Sequence, residues 1–191
     1  VGDHLVDAST GHTFVPHGVN YPGFEYACEE GWGYSQGTET QATADAMASW
    51  HITVVRIPMN ENCWLGISDG GNGNYGSANG YQTALEDWVT RLNSDGIAVI
   101  LDLHWSAPPG QTAYGQYPMP DSNSIAFGSS VASTFRNNPS VIGDAFNEPY
   151  SIWTGDTKTF DLTWDSGRRD APAFRMLART NSPTGTAPTP R

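Results

Sequence analysis

Apolar and polar positions along this chain switch repeatedly between a period of two and a period near 3.6, and the switches mark out its elements. Phe14 to Asn20 (FVPHGVN) predicts a first strand, entered from a small hairpin turning at Ser9-Thr10-Gly11. Thr40 to Trp50 predicts a helix whose Ala42, Ala46, Met47 and Trp50 share one face. Ile52 to Pro58 (ITVVRIP) predicts a second strand. A second helix is expected from Gly80 to Ser94, with Tyr81, Leu85, Trp88, Val89 and Leu92 as its apolar stripe and Asp95-Gly96 as its stop. Ile97 to His104 (IAVILDLH) is nearly all apolar, as a parallel strand covered on both faces should be. A third helix covers Ser124 to Asn137, closed by Asn138-Pro139, and Val141 to Phe146 (VIGDAF) reads as a fourth strand.

Polar residues recur where these strands end: Asn20, Arg56, His104 and Glu148. Arg56 and His104 lie 48 residues apart, and His104 and Glu148 lie 44 apart. Each interval fits one strand–loop–helix unit with a generous top loop. The implied class is α/β, a (β/α)8 barrel of which about the first four βα units are present. Alternation of faces puts Val54, Arg56 and Pro58 on one side of strand two. It likewise groups Ile100, Asp102 and His104 on strand three, and Asp144, Phe146 and Glu148 on strand four. Arg56, His104 and Glu148 are then expected to meet at the barrel mouth. Asp102 and Asp144 would sit deeper, in an ionic network with Arg56.

After Trp164 the pattern fails. GRRDAPAFRMLARTNSPTGTAPTPR carries neither a strand signal nor a usable helical stripe, and it ends in Pro/Thr/Gly low complexity. Charge changes with it. Residues 1–167 hold four basic against 19 acidic residues, whereas residues 168–191 hold five Arg against one Asp. A domain over 1–165 and a separate tail over 166–191 are therefore expected. The tail reads either as a linker toward a further module or as sequence that has left its proper course, and the abrupt inversion favours the second.

Composition narrows the partners. A formal net charge of −11 disfavours nucleic acid or an anionic membrane and suits a neutral substrate. No apolar run is long enough for a transmembrane helix. The chain begins at Val1 without a signal peptide, which reads as a mature or cropped product. Cys28 and Cys63 fall in expected loops of an acidic, Trp-rich chain of secreted character, so a disulfide is favoured over two free thiols. No CxxC or paired-His spacing supports zinc. The Gly/Asn-rich loop Ser68 to Gly80 offers Asp69 as an oxygen ligand, but its spacing is not that of an EF-hand.

Aromatic residues crowd the loops that follow these strands: Tyr21, Phe24, Tyr26, Trp32, Trp64, Trp105, Tyr114, Tyr150 and Trp153. Aromatic faces stack on the apolar faces of pyranose rings, so a cleft floored in this way suits a neutral polysaccharide. The expected contacts are Trp105, Tyr150, Trp64, Tyr21 and Trp32.

LVDASTGHTFVPHGVNYPGF, VVRIPMN, ILDLHW and AFNEPY, in this order and spacing, resemble the first half of glycoside hydrolase family 5. This is the cellulase family of retaining (β/α)8 enzymes, and the resemblance covers roughly Leu5 to Trp164. It implies hydrolysis of β-1,4-glycosidic bonds in cellulose or a related β-glucan, outside the cell and without cofactor or metal. It assigns Glu148 as general acid/base and Asn147 as the hydrogen-bond partner of the sugar 2-hydroxyl. Arg56 and His104 would orient and tune the nucleophile. That nucleophile, a second carboxylate about 5–5.5 Å from the first, is in this family a Glu on strand seven. None of Glu25, Glu29, Glu30, Glu39, Glu61 and Glu86 occupies a matching position. Impaired activity is thus expected, with self-association through an open half-barrel. The alternatives are a non-catalytic carbohydrate-binding fragment, an aberrant product without function of its own, or specificity for mannan or xylan.

Overall fold

A computed structural model describes residues 5–7, 10–67 and 78–150, together with the backbone of two short strands at 153–154 and 157–158. Four parallel strands form the main sheet in the order of the chain: β1 (Gly18–Asn20), β2 (Val54–Asn60), β3 (Ala98–Trp105) and β4 (Val141–Asp144). The helices are α1 (Ala27–Glu30), α2 (Gln41–Ser49), α3 (Glu61–Leu65), α4 (Ala78–Ser94) and α5 (Ser122–Phe135). Strands β5 (Trp153–Thr154) and β6 (Thr157–Lys158) pair antiparallel with each other. The expected tail over 166–191 and Asp69 lie outside the described residues.

Period-two alternation sorts the central strands into two faces. Val55, Ile57 and Met59 of β2 and Val99, Leu101 and Leu103 of β3 are buried in one cluster with the helices. The opposite face carries Arg56, Asp102 and His104. Helix α4 seals the first face with the expected stripe, since Tyr81, Leu85, Trp88, Val89 and Leu92 are all buried. Gly96 ends it at φ +76°, a left-handed conformation that glycine adopts without a Cβ penalty. Helix α5 starts in a capping box: the Asp121 carboxylate accepts from the Asn123 and Ser124 N–H groups, and the Ser124 hydroxyl accepts from the Asp121 N–H.

Three expectations shift. The first strand pairs only over Gly18–Asn20, because Pro16 has no N–H to give a ladder and Phe14 instead bonds back to Leu5 in the hairpin. Helix α2 buries Ala44 and Met47 rather than Ala42, Ala46 and Trp50. Trp50 occupies the C-cap, where the chain leaves the helix through His51 at φ +59°, and its ring is 72% exposed. Strand β4 ends at Asp144, two residues sooner than VIGDAF suggests.

Asn60, at the end of β2, holds the loops above the sheet in place. Its Oδ1 accepts from the Asn62 and Cys63 N–H groups and so caps α3. Its Nδ2 donates to the Glu25 carbonyl at 2.8 Å and to the Ala113 carbonyl at 3.0 Å, which ties the β1–α1 and β3–α5 loops to one side chain. A disulfide between Cys28 of α1 and Cys63 of α3 adds a covalent link across the same region.

The first residue of α3, Glu61, is wholly buried, with Oε2 2.6 Å from the Ser124 hydroxyl of α5. Burial pushes its carboxyl up to about 7, the Ser124 hydrogen bond opposes this, and Asp121 adds to the rise. A carboxyl raised in the folded state contributes stability below its unfolded value near 4.5 and loses it as pH climbs through about 7. Glu61→Gln is therefore expected to raise the thermal unfolding midpoint at pH 8, by the equivalent of roughly 2–3 kcal/mol, and to leave it unchanged near pH 4. Circular dichroism melts at the two pH values check this, and an equal effect at both would exclude the titration.

Candidate active site

Arg56 projects from the middle of β2, and its guanidinium gathers groups from each neighbouring strand. Its Nη2 lies 2.7 Å from Asp102 Oδ2 of β3 and 3.6 Å from Asp144 Oδ2 of β4. The same nitrogen donates to Asn147 Oδ1 at 2.7 Å, while Nη1 reaches Asn20 Oδ1 of β1 at 3.5 Å. Register explains the convergence. Asn20 pairs with Arg56, and one pleat further along Pro58, Asp102 and Asp144 stand in line. A long side chain leaning along its strand from the first level meets the carboxylates of the second.

Asp102 is fully buried, and its Oδ2 also meets His104 Nδ1 at 2.7 Å. A buried carboxylate is tolerated when paired in this way. Burial pushes the Asp144 carboxyl up, the neighbouring Asp102 adds to the rise, and Arg56 opposes it. The ionic network expected of Arg56, Asp102 and Asp144 is thus present and His104 joins it, but only Asp102 is deep, since 42% of the Asp144 side chain is exposed.

The segment after β4 departs from strand geometry. Phe146 turns into the helix-side hydrophobic cluster rather than sharing a face with Asp144. Asn147 is buried, with its N–H on the Leu103 carbonyl at 2.9 Å. Glu148 is exposed and takes φ +39°, a left-handed conformation that a residue with a Cβ rarely adopts. Glu148 therefore faces solvent from a turn after β4, not by strand alternation. Two participants escaped the sequence reading. Glu25, buried in the β1–α1 loop, accepts from the Gly23 N–H at 2.6 Å. Burial pushes its carboxyl up, the Gly23 and Glu25 N–H groups hold it back, and His104 and Asp102 act on it in opposite senses. Gln116, in the β3–α5 loop, donates through Nε2 to the carbonyls of Asn147 and Glu148. Neither stands on a strand, so no periodicity marks them.

A family model described as cellulase (glycosyl hydrolase family 5) matches residues 8–171. The chain belongs to that family. The cellulase match runs slightly past the boundary expected at residue 165. No curated protein matches the chain. Among solved structures, the catalytic domain of the major endoglucanase from Xanthomonas campestris pv. campestris is 20% identical, with a TM-score of 0.65 over 93% of this chain and 53% of that one. A cellotetraose complex of an endocellulase from Pyrococcus horikoshii is 18% identical, with a TM-score of 0.66 over 93% and 52%. At these identities the likeness shows the fold, which is that of the TIM-barrel endoglucanases. This chain spans about half the length of the solved structures it matches.

The aromatic residues singled out in the sequence divide into exposed or half-buried rings and packed ones. Trp105, half-buried at the end of β3, lies 6.0 Å ring to ring from Tyr26, and Tyr26 lies 6.0 Å from Trp32, which is 59% exposed. Tyr150 is exposed and its hydroxyl donates to the Gln116 carbonyl. Trp64 is not a platform. It is wholly buried among Tyr81, Phe127 and Phe135, because α3 turns its ring toward α4 and α5. Tyr21 is largely packing too. Its ring lies 5.0 Å from Trp88, and burial with Glu39 nearby pushes its hydroxyl up to about 12. Phe24 is fully buried. Trp153 lies outside the described side chains.

The two carboxylates on Arg56 should differ in what they contribute. Asp102→Asn removes the charge partner of Arg56 from a fully buried position and is expected to cost about 2–3 kcal/mol. Asp144→Asn, at a longer distance and partly exposed, should cost less than about 1 kcal/mol. Urea unfolding of the two variants checks the order, and a larger loss for Asp144→Asn would mean that Asp102 is not the principal partner.

Proposed function

We propose that the chain supplies the acid/base half of a retaining β-1,4-glucanase site that acts on cellulose or a related β-glucan outside the cell. The observation that carries this reading is the 2.7 Å bond from Arg56 to Asn147 Oδ1. A guanidinium only donates, so the bond fixes the Asn147 amide with its oxygen inward and leaves Nδ2 to donate toward a sugar 2-hydroxyl. Glu148, next in sequence and solvent-facing, protonates the leaving glycosidic oxygen and later takes a proton from the attacking water. Asp102 holds His104 through Nδ1, so that Nε2 is directed toward the cleft. The covalent step needs a second carboxylate about 5–5.5 Å from Glu148. By the family's pattern it comes from the seventh strand, in the half of the barrel that the four described strands do not include. Turnover by this chain alone is accordingly weak, and its sheet edges at β1 and β4 favour self-association. The Cys28–Cys63 disulfide is consistent with an oxidising, extracellular setting.

A second reading, a carbohydrate-binding fragment without chemistry, draws on the Trp105–Tyr26–Trp32 row, which could hold a glucan without the nucleophile. Mannan or xylan in place of glucan would leave the acid/base assignment unchanged. Reducing-sugar release from a soluble β-1,4-glucan separates the readings. Any release by the purified chain should fall at least about 10²-fold in Glu148→Gln. Release that is insensitive to Glu148→Gln would overturn the acid/base assignment. Strong turnover by the monomer would overturn the impairment, and retention on cellulose without any release would favour the binding fragment.

A further inference from the structure

Glu148 carries its side chain on a backbone that would relax to negative φ if nothing prevented it, and the contacts that prevent it come largely from one loop. Gln116 Nε2 donates to the Asn147 carbonyl at 2.9 Å and to the Glu148 carbonyl at 2.6 Å. Both partners are carbonyl oxygens, so only the amide NH2 can face them, and its two hydrogens match the two acceptors. The loop is held in return, since the Tyr150 hydroxyl donates to the Gln116 carbonyl at 3.2 Å and the Tyr150 N–H to the Pro118 carbonyl at 3.1 Å. On the sheet side, the Asn147 N–H is fixed to Leu103. The turn between them is therefore closed from both ends.

We infer that Gln116 is a positioning residue for Glu148: its amide clamps the two carbonyls flanking the turn, keeps residue 148 in the left-handed conformation, and so sets the direction in which the carboxylate points. Residue 148 must carry a carboxylate, so glycine, the residue suited to that backbone, cannot be used there. The surroundings impose the conformation instead. General acid/base transfer tolerates little displacement of the proton-bearing oxygen, and a clamp on the main chain limits that displacement without touching the substrate. The functional half of this inference rests on the acid/base reading of Glu148, whereas the conformational half does not.

Backbone chemical shifts of the isotope-labelled full chain report φ at residue 148 without any need for turnover. The parent should show a positive φ there, and Gln116→Ala should return residue 148 to negative φ while shifts of the sheet residues stay in place. Gln116→Glu gives a second test in a side chain of the same length. Its ionised carboxylate repels both carbonyls and its protonated form can donate to one, so residue 148 should move toward the parental shifts as pH is lowered through the carboxyl range. Positive φ kept in Gln116→Ala, or no pH response in Gln116→Glu, overturns the clamp. Where release is measurable and Glu148→Gln removes it, Gln116→Ala should lower kcat about 10- to 100-fold with KM within twofold of the parent. A loss confined to KM overturns the positioning role. Release that survives Glu148→Gln defeats the acid/base reading, and the shifts at residue 148 still decide the clamp.

Discussion

Asp102 is a carboxylate with no exposure to solvent on the face of the sheet away from the helices, and a charge in that position has to be matched. Arg56 matches it from the neighbouring strand through Nη2, which also meets Asn147 and Asp144, while Nη1 reaches Asn20. One ion pair thus connects all four strands of the sheet and the segment that follows the last. Arg suits this position where Lys would not, because its planar fork presents several fixed donors at once and stays charged when partly desolvated. His104 joins through the same Asp102 oxygen, so the orientation of the imidazole depends on the pair as well.

A second centre, electrically neutral, lies one pleat higher. Asn60 ends β2, caps α3 and binds the backbone of two loops. The loops bring the aromatic row and the Gln116 clamp to the site. Asn60 also receives support from below, as its N–H donates to the Tyr81 hydroxyl, which itself donates to the Phe24 carbonyl. Helix packing is thereby connected to loop position through hydrogen bonds rather than apolar contact alone. The disulfide from Cys28 to Cys63 reinforces the same junction covalently.

Most of the frame was legible in the sequence because period and packing agree there. The stripe of α4 and the two faces of β2 and β3 follow directly from spacing, and so does the meeting of Arg56 with Asp102. Local reasoning fell short where a tertiary demand overrides spacing. Trp64 sits in a loop-like stretch and reads as a platform, yet it belongs to a short helix buried from Glu61 to Trp64, whose packing turns the ring onto Tyr81, Phe127 and Phe135. Trp50 fails in the opposite sense, since a C-cap no longer follows the helical row. Gln116 and Glu25 had no signal at all. Their roles depend on which backbone groups the loops bring close, and that is a property of the folded chain.

The turn at residues 145–148 shows why the most function-bearing stretch was also the one read least accurately in geometry. Extending strand alternation through VIGDAFNE puts Phe146 and Glu148 beside Asp144. The chain instead breaks register after Asp144, sends Phe146 to the hydrophobic side, buries Asn147 and brings Glu148 out in a left-handed conformation. Continued alternation would have placed a bulky ring beside the ions, on the face that carries His104. Breaking the period avoids that cost, and it leaves Glu148 exposed while Asp102 stays buried. Local rules fail at such places because the site requires a geometry that regular structure cannot supply. The resulting strain persists because Leu103, Gln116 and Pro118 hold the turn from opposite sides.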